Sequence, residues 1–155
     1  VNYKLAVNKI HKISRILYEK KLPLMPKFLT YFIRIVYGCY IPPTVQIGEG
    51  TSIGYDGVGV VIHYKTVIGK NCVIGPGVTI GGTSGKEGAP ILGDNVALGT
   101  GCKILGPVKV GDNVVIGANS VVTKDVPDNC MVVGIPGKIV RTDIDIKKYN
   151  KIASI

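Results

Sequence analysis

The chain of 155 residues has no Trp, only two Phe and only two His. A core without large aromatics must be built from aliphatic side chains, and 46% of the residues are hydrophobic. Two His cannot supply a three-His metal centre, and no metal is expected. The four cysteines, Cys39, Cys72, Cys102 and Cys130, show no CxxC spacing, which argues against a zinc ribbon or a dithiol redox motif. No signal-peptide pattern is present, so reduced thiols in the cytoplasm are expected. No apolar run reaches the ~18–20 residues that span a bilayer. A phosphate-binding GxxxxGK[ST] loop is absent, and no separate nucleotide-binding domain is expected.

Charge is unevenly spread. The net charge is +9, and residues 1–37 carry +7 of it through Lys4, Lys9, Lys12, Arg15, Lys20, Lys21, Lys27 and Arg34 against Glu19. Such a segment can be a solvated helix face or can meet an anionic partner. Neither an RNA-binding aromatic motif nor a helix-turn-helix pattern accompanies it, so nucleic acid is not expected as a partner. A peripheral membrane contact through the basic N-terminal helix is one expectation.

What the chain has in abundance is Gly, 21 residues, on a fixed grid. Ile47 and Ile53, then Ile62, Ile68, Ile74 and Ile80, then Leu92, Leu98, Ile104, Val110, Ile116 and Val122 recur every six residues within each group. A period of six fits neither an α-helix nor simple alternation. It fits a short strand followed by a corner. A second set at the same period, Thr51, Thr66, Cys72, Val78, Val96, Cys102, Val108, Val114 and Ser120, marks a smaller inward slot. Three strand-and-corner units close a triangular coil of eighteen residues, and coils stack through parallel ladders. Cys72 and Cys102 fall in the small slot, where packing rather than reactivity is expected.

Two interruptions break the grid. The step from Ile53 to Ile62 is nine, and residues 82–89 (GTSGKEGA) cannot fill aliphatic slots. Packing gives no reason for either, so both are places to look for function. Before the coils, residues 2–20 space Leu5, Ile10, Ile13, Ile16 and Leu17 as a helix does, and a second helix starts after Pro26. Together they should cap the open rim of the first coil. The organisation expected is a helical cap over 1–40, a β-helix over 41–140 and a tail over 141–155.

The stretches IPPTVQIGEG (41–50), VGVVIHYKTVIGKNCVIGPGVTIGG (58–82), ILGPVKVGDNVVIGANSVV (104–122) and KDVPDNCMVVGIPGKIV (124–140) resemble the serine acetyltransferase-like branch of the hexapeptide acyltransferases. The resemblance implies a left-handed parallel β-helix, a homotrimer and acetyl-CoA as co-substrate. The handedness comes from the resemblance alone, because parallel crossovers are right-handed in ~98% of cases. It also implies O-acetylation of a hydroxyl, on L-serine or on a sugar as in bacterial polysaccharide O-acetyltransferases. A CoA-binding scaffold without turnover is the non-enzymatic alternative.

A thioester is already activated, so catalysis needs a base for the acceptor hydroxyl and donors for the oxyanion. His63 stands at a corner normally given to Gly and is the expected base. His11, in the first helix, is expected to be structural. Asp56, in the first interruption, is the candidate to orient His63. For acetyl-CoA the resemblance points to Gly82, Thr83, Thr100, Ala118 and Lys138. Two departures stand out. The family's Asp-His pair is replaced by Tyr55 and Asp56, and of its Asp-Arg-His-Pro run only Pro90 remains. No Ser or Cys nucleophile is evident, so direct transfer is expected.

Overall fold

The computed structural model describes residues 6–149. Two helices, α1 (Ala6–Glu19) and α2 (Met25–Tyr37), precede fourteen short strands. The strands sort into three sheets, one for each side of a triangular prism. The first holds β1 (Gln46–Ile47), β4 (Val67–Ile68), β7 (Ile91–Leu92) and β10 (Lys109–Val110). The second holds β2 (Ser52–Ile53), β5 (Val73–Ile74), β8 (Ala97–Leu98), β11 (Val115–Ile116), β13 (Met131–Val133) and β14 (Lys138–Arg141). The third holds β3 (Val61–Ile62), β6 (Thr79–Gly81), β9 (Lys103–Leu105) and β12 (Val121–Val122). All pairings are parallel except that of β14 with β13. That antiparallel strand covers what would otherwise be an open edge of the last coil.

The six-residue grid is the core. Every grid aliphatic from Ile53 to Val122 is buried, and so is every residue of the smaller slot. Ile47, in the first coil, is only partly buried. Uninterrupted coils advance by eighteen, as in Ile62 with Ile80 and Leu98 with Ile116. Across the first interruption the coil is longer, and Ile53 pairs with Ile74. Across the second it is longer again, and Ile80 pairs with Ile104. The extra three and six residues leave the ladder register intact, so both segments protrude from the prism.

One corner is held by a device outside the aliphatic grid. Asn95, Asn113 and Asn129 adopt left-handed φ near +55° and stack, with Asn95 Nδ2 donating to Asn113 Oδ1 (3.0 Å) and Asn113 Nδ2 to Asn129 Oδ1 (2.9 Å). The preceding aspartates each accept a backbone N–H from the coil before: Lys70 N–H to Asp94, Asp94 N–H to Asp112 and Asp112 N–H to Asp128, at 2.7–2.8 Å. Asn tolerates the left-handed region better than other side chains, which is why it sits at these corners.

Helix α1 caps the first coil by satisfying its rim carbonyls. Asn8 Nδ2 donates to Thr51 O (2.9 Å), and Arg15 Nη1 to Thr44 O (3.0 Å) and Val45 O (3.1 Å). His11 is buried with Nε2 at 3.1 Å from Pro42 O, in keeping with a structural role. Burial lowers its pKa below 6.5; the Pro42 carbonyl opposes this and Arg15 adds to it. The unfolded chain therefore takes up this proton first as pH falls. Stability is whole above pH ~6.5 and drops below it by up to about 1.4 kcal/mol per pH unit, until the folded group titrates. Denaturant midpoints between about pH 7.5 and 5.5 should show this loss, and His11→Gln should flatten it.

Cys72 and Cys102 are buried and free. Burial pushes both thiols up, Cys102 to about 12, so neither is a nucleophile near neutral pH. Of the C-terminal segment, residues 150–155 lie outside the described region. Before them Ile144 N–H bonds Asn129 O (3.1 Å), and Asp145 caps a single 3-10 turn, Ile146–Lys148.

Candidate active site

Strand β3 is followed directly by His63, at the corner between the third and first sheets. The second protruding segment leaves the same corner one coil later, after β6. Together they bound an open groove of about 430 Å³ lined by His63, Tyr64, Lys65, Gly82, Thr83, Lys86 and Glu87, among others. Gly82 lies beside the imidazole in this groove. A Cβ there would stand 3.5 Å from His63 Nε2, so Nε2 faces into the groove across Gly82. The imidazole stacks on Tyr64, with centroids 4.5 Å apart and a tilt of 31°. The Lys65 ammonium lies 5.7 Å from the Tyr64 ring centroid.

Histidine Nδ1 takes a bond from the Lys65 backbone N–H at 3.3 Å. In the neutral ring this contact favours the proton on Nε2, so the ring shows the groove a donor in this arrangement. The contact is longer than an ordinary N–H hydrogen bond and is a weak lock. Abstracting a proton through Nε2 requires the other tautomer, with Nδ1 protonated and the Lys65 bond released.

The structure does not bring Asp56 to His63 within the chain. Asp56 lies before β3 and His63 after it, so the strand holds them at opposite edges of one face, and no hydrogen bond joins them. Instead Asp56 is near Cys39, whose thiol burial chiefly, and that carboxylate secondarily, push up to about 11. Tyr55 and Asp56 both adopt the left-handed conformation (φ 51° and 50°). Two consecutive non-Gly residues in that region cost about 1–2 kcal/mol each. Strain of this kind gathers at functional positions, and Tyr55 is 78% exposed there.

The expected CoA contacts divide between two corners. Gly82 and Thr83 line the groove beside His63. Thr100 and Ala118 are exposed and stack one coil apart at the corner that also carries Asp56. A Cβ on Gly75 would meet Thr100 N at 2.9 Å, and one on Gly99 would meet Ala118 N at 2.6 Å. Lys138 extends that corner, since it pairs with Val133 and its neighbour Gly137 donates to Val121 O (2.7 Å). One face of the prism thus separates the two groups. Sequence reasoning missed Tyr64, Lys65, Lys86 and Glu87 as groove residues. The signals were present, a bulky HYK at a corner and a charged pair in the loop, but only a shared corner joins them.

Residues 89–124 match the bacterial transferase hexapeptide family (six repeats). Serine acetyltransferase of Synechococcus elongatus is 43% identical over 132 residues, covering 84% of this chain and 54% of its own length. The chain carries the hexapeptide repeat and is similar to serine acetyltransferases over most of its own length. It spans about half the length of the curated relatives it matches. Serine acetyltransferase of Brucella abortus, solved with coenzyme A, superposes with a TM-score of 0.83 at 32% identity, over 86% of this chain and 54% of that one. The Neisseria gonorrhoeae enzyme, solved with serine, gives 0.80 at 36% identity, over 85% and 54%. A coil of opposite hand could not superpose so closely, so this hexapeptide-repeat chain has the hand of the serine acetyltransferases.

Proposed function

We propose that the chain transfers an acetyl group from acetyl-CoA to an acceptor hydroxyl, with His63 as the base. The observation that carries this reading is the groove in which His63 Nε2 faces Gly82, with Thr83 also in its lining, beside a loop that interrupts the repeat. With Nδ1 protonated and the Lys65 bond released, the hydroxyl proton passes to Nε2 as its oxygen attacks the thioester carbonyl. The tetrahedral intermediate collapses, the C–S bond breaks, and the CoA thiolate leaves, taking up the proton from the imidazolium. Because the thioester is activated already, no covalent enzyme intermediate is needed.

L-Serine is the acceptor this reading places first, since the relatives are named for it and one of their structures holds it. The family's Asp-Arg-His run is absent, so its carboxylate needs another partner. Lys86 and Lys65 are the cations lining the groove, with Glu87 as their one acidic neighbour. Lys86→Ala should raise KM for serine about tenfold with kcat little changed, the signature of lost ground-state binding.

The two groups of CoA candidates act together when two copies meet. Three prisms packed about a threefold axis set the Thr100–Ala118–Lys138 corner of one copy against the His63–Gly82 corner of its neighbour. The pantetheine arm then lies along the small residues, and Lys138 meets a phosphate. Asp56 comes to the same cleft from the neighbouring copy. Light scattering should report three chains, and a monomer at working concentration contradicts this arrangement.

The experiment is thiol release from acetyl-CoA with L-serine and a panel of sugars. Release with serine supports the reading. Release with sugars alone refutes the serine assignment, and CoA binding without release under any acceptor identifies a scaffold.

A further inference from the structure

Helix α2 packs on the rest of the fold through Pro26, Thr30 and Ile33, all buried. Its opposite stripe, from Leu24 at the cap through Phe28, Tyr31, Phe32 and Ile35, is also apolar and exposed, and its one described ring contact is that of Phe32 with Tyr37 of the same helix (centroids 6.4 Å). Leu24 is 77% exposed, Phe28 63% and Ile35 82%. The spacing of four, three, one and three residues keeps these side chains on one face of the helix. Aliphatic core is plentiful elsewhere in this protein, so packing within the chain does not account for three exposed aromatic rings on one short helix.

The charge around this stripe identifies what it fits. Lys27 and Arg34 run along one flank of α2, and Lys20 and Lys21 stand exposed in the connection from α1. Over residues 6–37 there are seven Lys and Arg side chains and one acid, Glu19, which is paired with Arg15 at 2.9 Å. A second copy docked face to face would bring two such basic rims together, and a surface without acids offers them no counter-charge. An anionic lipid surface supplies both needs, apolar depth for the rings and negative charge for the rim. No described helix is long and apolar enough to cross a bilayer, so the geometry is that of a helix lying in the interface.

We propose that the exposed face of α2 is a membrane-docking surface for anionic bilayers, with Phe28, Tyr31, Phe32 and Ile35 entering the interface and Lys20, Lys21, Lys27 and Arg34 meeting lipid phosphates. This does not depend on the acetyl-transfer reading, because none of these side chains lines the His63 groove.

The test is co-sedimentation of the full chain with vesicles of phosphatidylcholine alone or mixed with phosphatidylglycerol. The mixed vesicles should carry down the protein, neutral vesicles much less, and added salt should release it. Phe28→Glu/Ile35→Glu, at two exposed positions, should abolish sedimentation while leaving the thermal melt unchanged. Lys20→Gln/Lys21→Gln should weaken it roughly fivefold for each charge removed. Failure of the wild type to sediment with mixed vesicles overturns the proposal, as does unchanged sedimentation of the Phe28/Ile35 variant. A wild-type assembly that the same variant splits without lipid present overturns it too, by assigning the face to a second copy.

Discussion

Replacing His63 by Ala should lower kcat for acetyl transfer by about 10²–10⁴ while leaving acetyl-CoA binding nearly unchanged. The base contributes in the transition state, whereas the CoA contacts proposed at Gly82, Thr83, Thr100, Ala118 and Lys138 do not use the imidazole. His63→Gln sharpens the test. Glutamine keeps a donor near the place Nε2 occupies but cannot accept a proton. If the ring's service is the donor seen in the structure, with Nδ1 tied to Lys65 N–H, the Gln variant retains much of the rate. The base reading requires it to fall with the Ala variant. Steady-state kinetics together with equilibrium CoA binding decide between the two. A Gln variant near wild type would move His63 from base to oxyanion donor.

The second large effect is on the fold. Gly48 follows β1 at a corner where the next coil lies directly against it. A Cβ there would stand 2.5 Å from Gly69 C and O and 2.6 Å from Lys70 N, all backbone atoms that cannot swing aside. Gly48→Ala must therefore separate two stacked coils and disturb the β1–β4 ladder, including the bond from Gly48 N–H to Ile68 O (2.9 Å). Overpacking of this kind costs about 3 kcal/mol. At this chain length that is roughly a 10 °C fall in Tm. Gly54→Ala is the control. Its Cβ would have only Ile74 O nearby, at an ordinary 3.5 Å, and Tm should barely move. Equal melts for the two variants would mean that the coil spacing is softer than the structure implies.

The fold was legible because one repeated step of six residues specifies strand, corner and inward slot together. Even the lengths of the two interruptions could be read, and they reappear in the pairings of Ile53 with Ile74 and of Ile80 with Ile104. The Asp-Asn pairs at 94–95, 112–113 and 128–129 were equally visible in the sequence. Their role was not, because a corner ladder is recognised only when the coils are stacked.

The site was less legible, for a geometric reason. Asp56 and His63 are seven positions apart, close enough in sequence to look like partners. A straight strand between them sets them at two different corners. Thr100, Ala118 and Lys138 belong to the first of these corners, while Gly82 and Thr83 belong to the second. Sequence order does not say which corners face each other, since that depends on how copies pack. His11 was simpler: a helix residue whose neighbours place it over an open rim has one nearby carbonyl to bond.

The central claim is direct transfer of acetyl from acetyl-CoA to an oxygen of the acceptor. It is tested most directly by following acetyl-CoA labelled in the acetyl group through a single turnover with L-serine. The account predicts label on the serine oxygen, CoA thiol released in equal amount, and none on the protein at any time in a rapid quench. Label held by the chain before it reaches serine, or CoA bound with no label moved to serine, would contradict it.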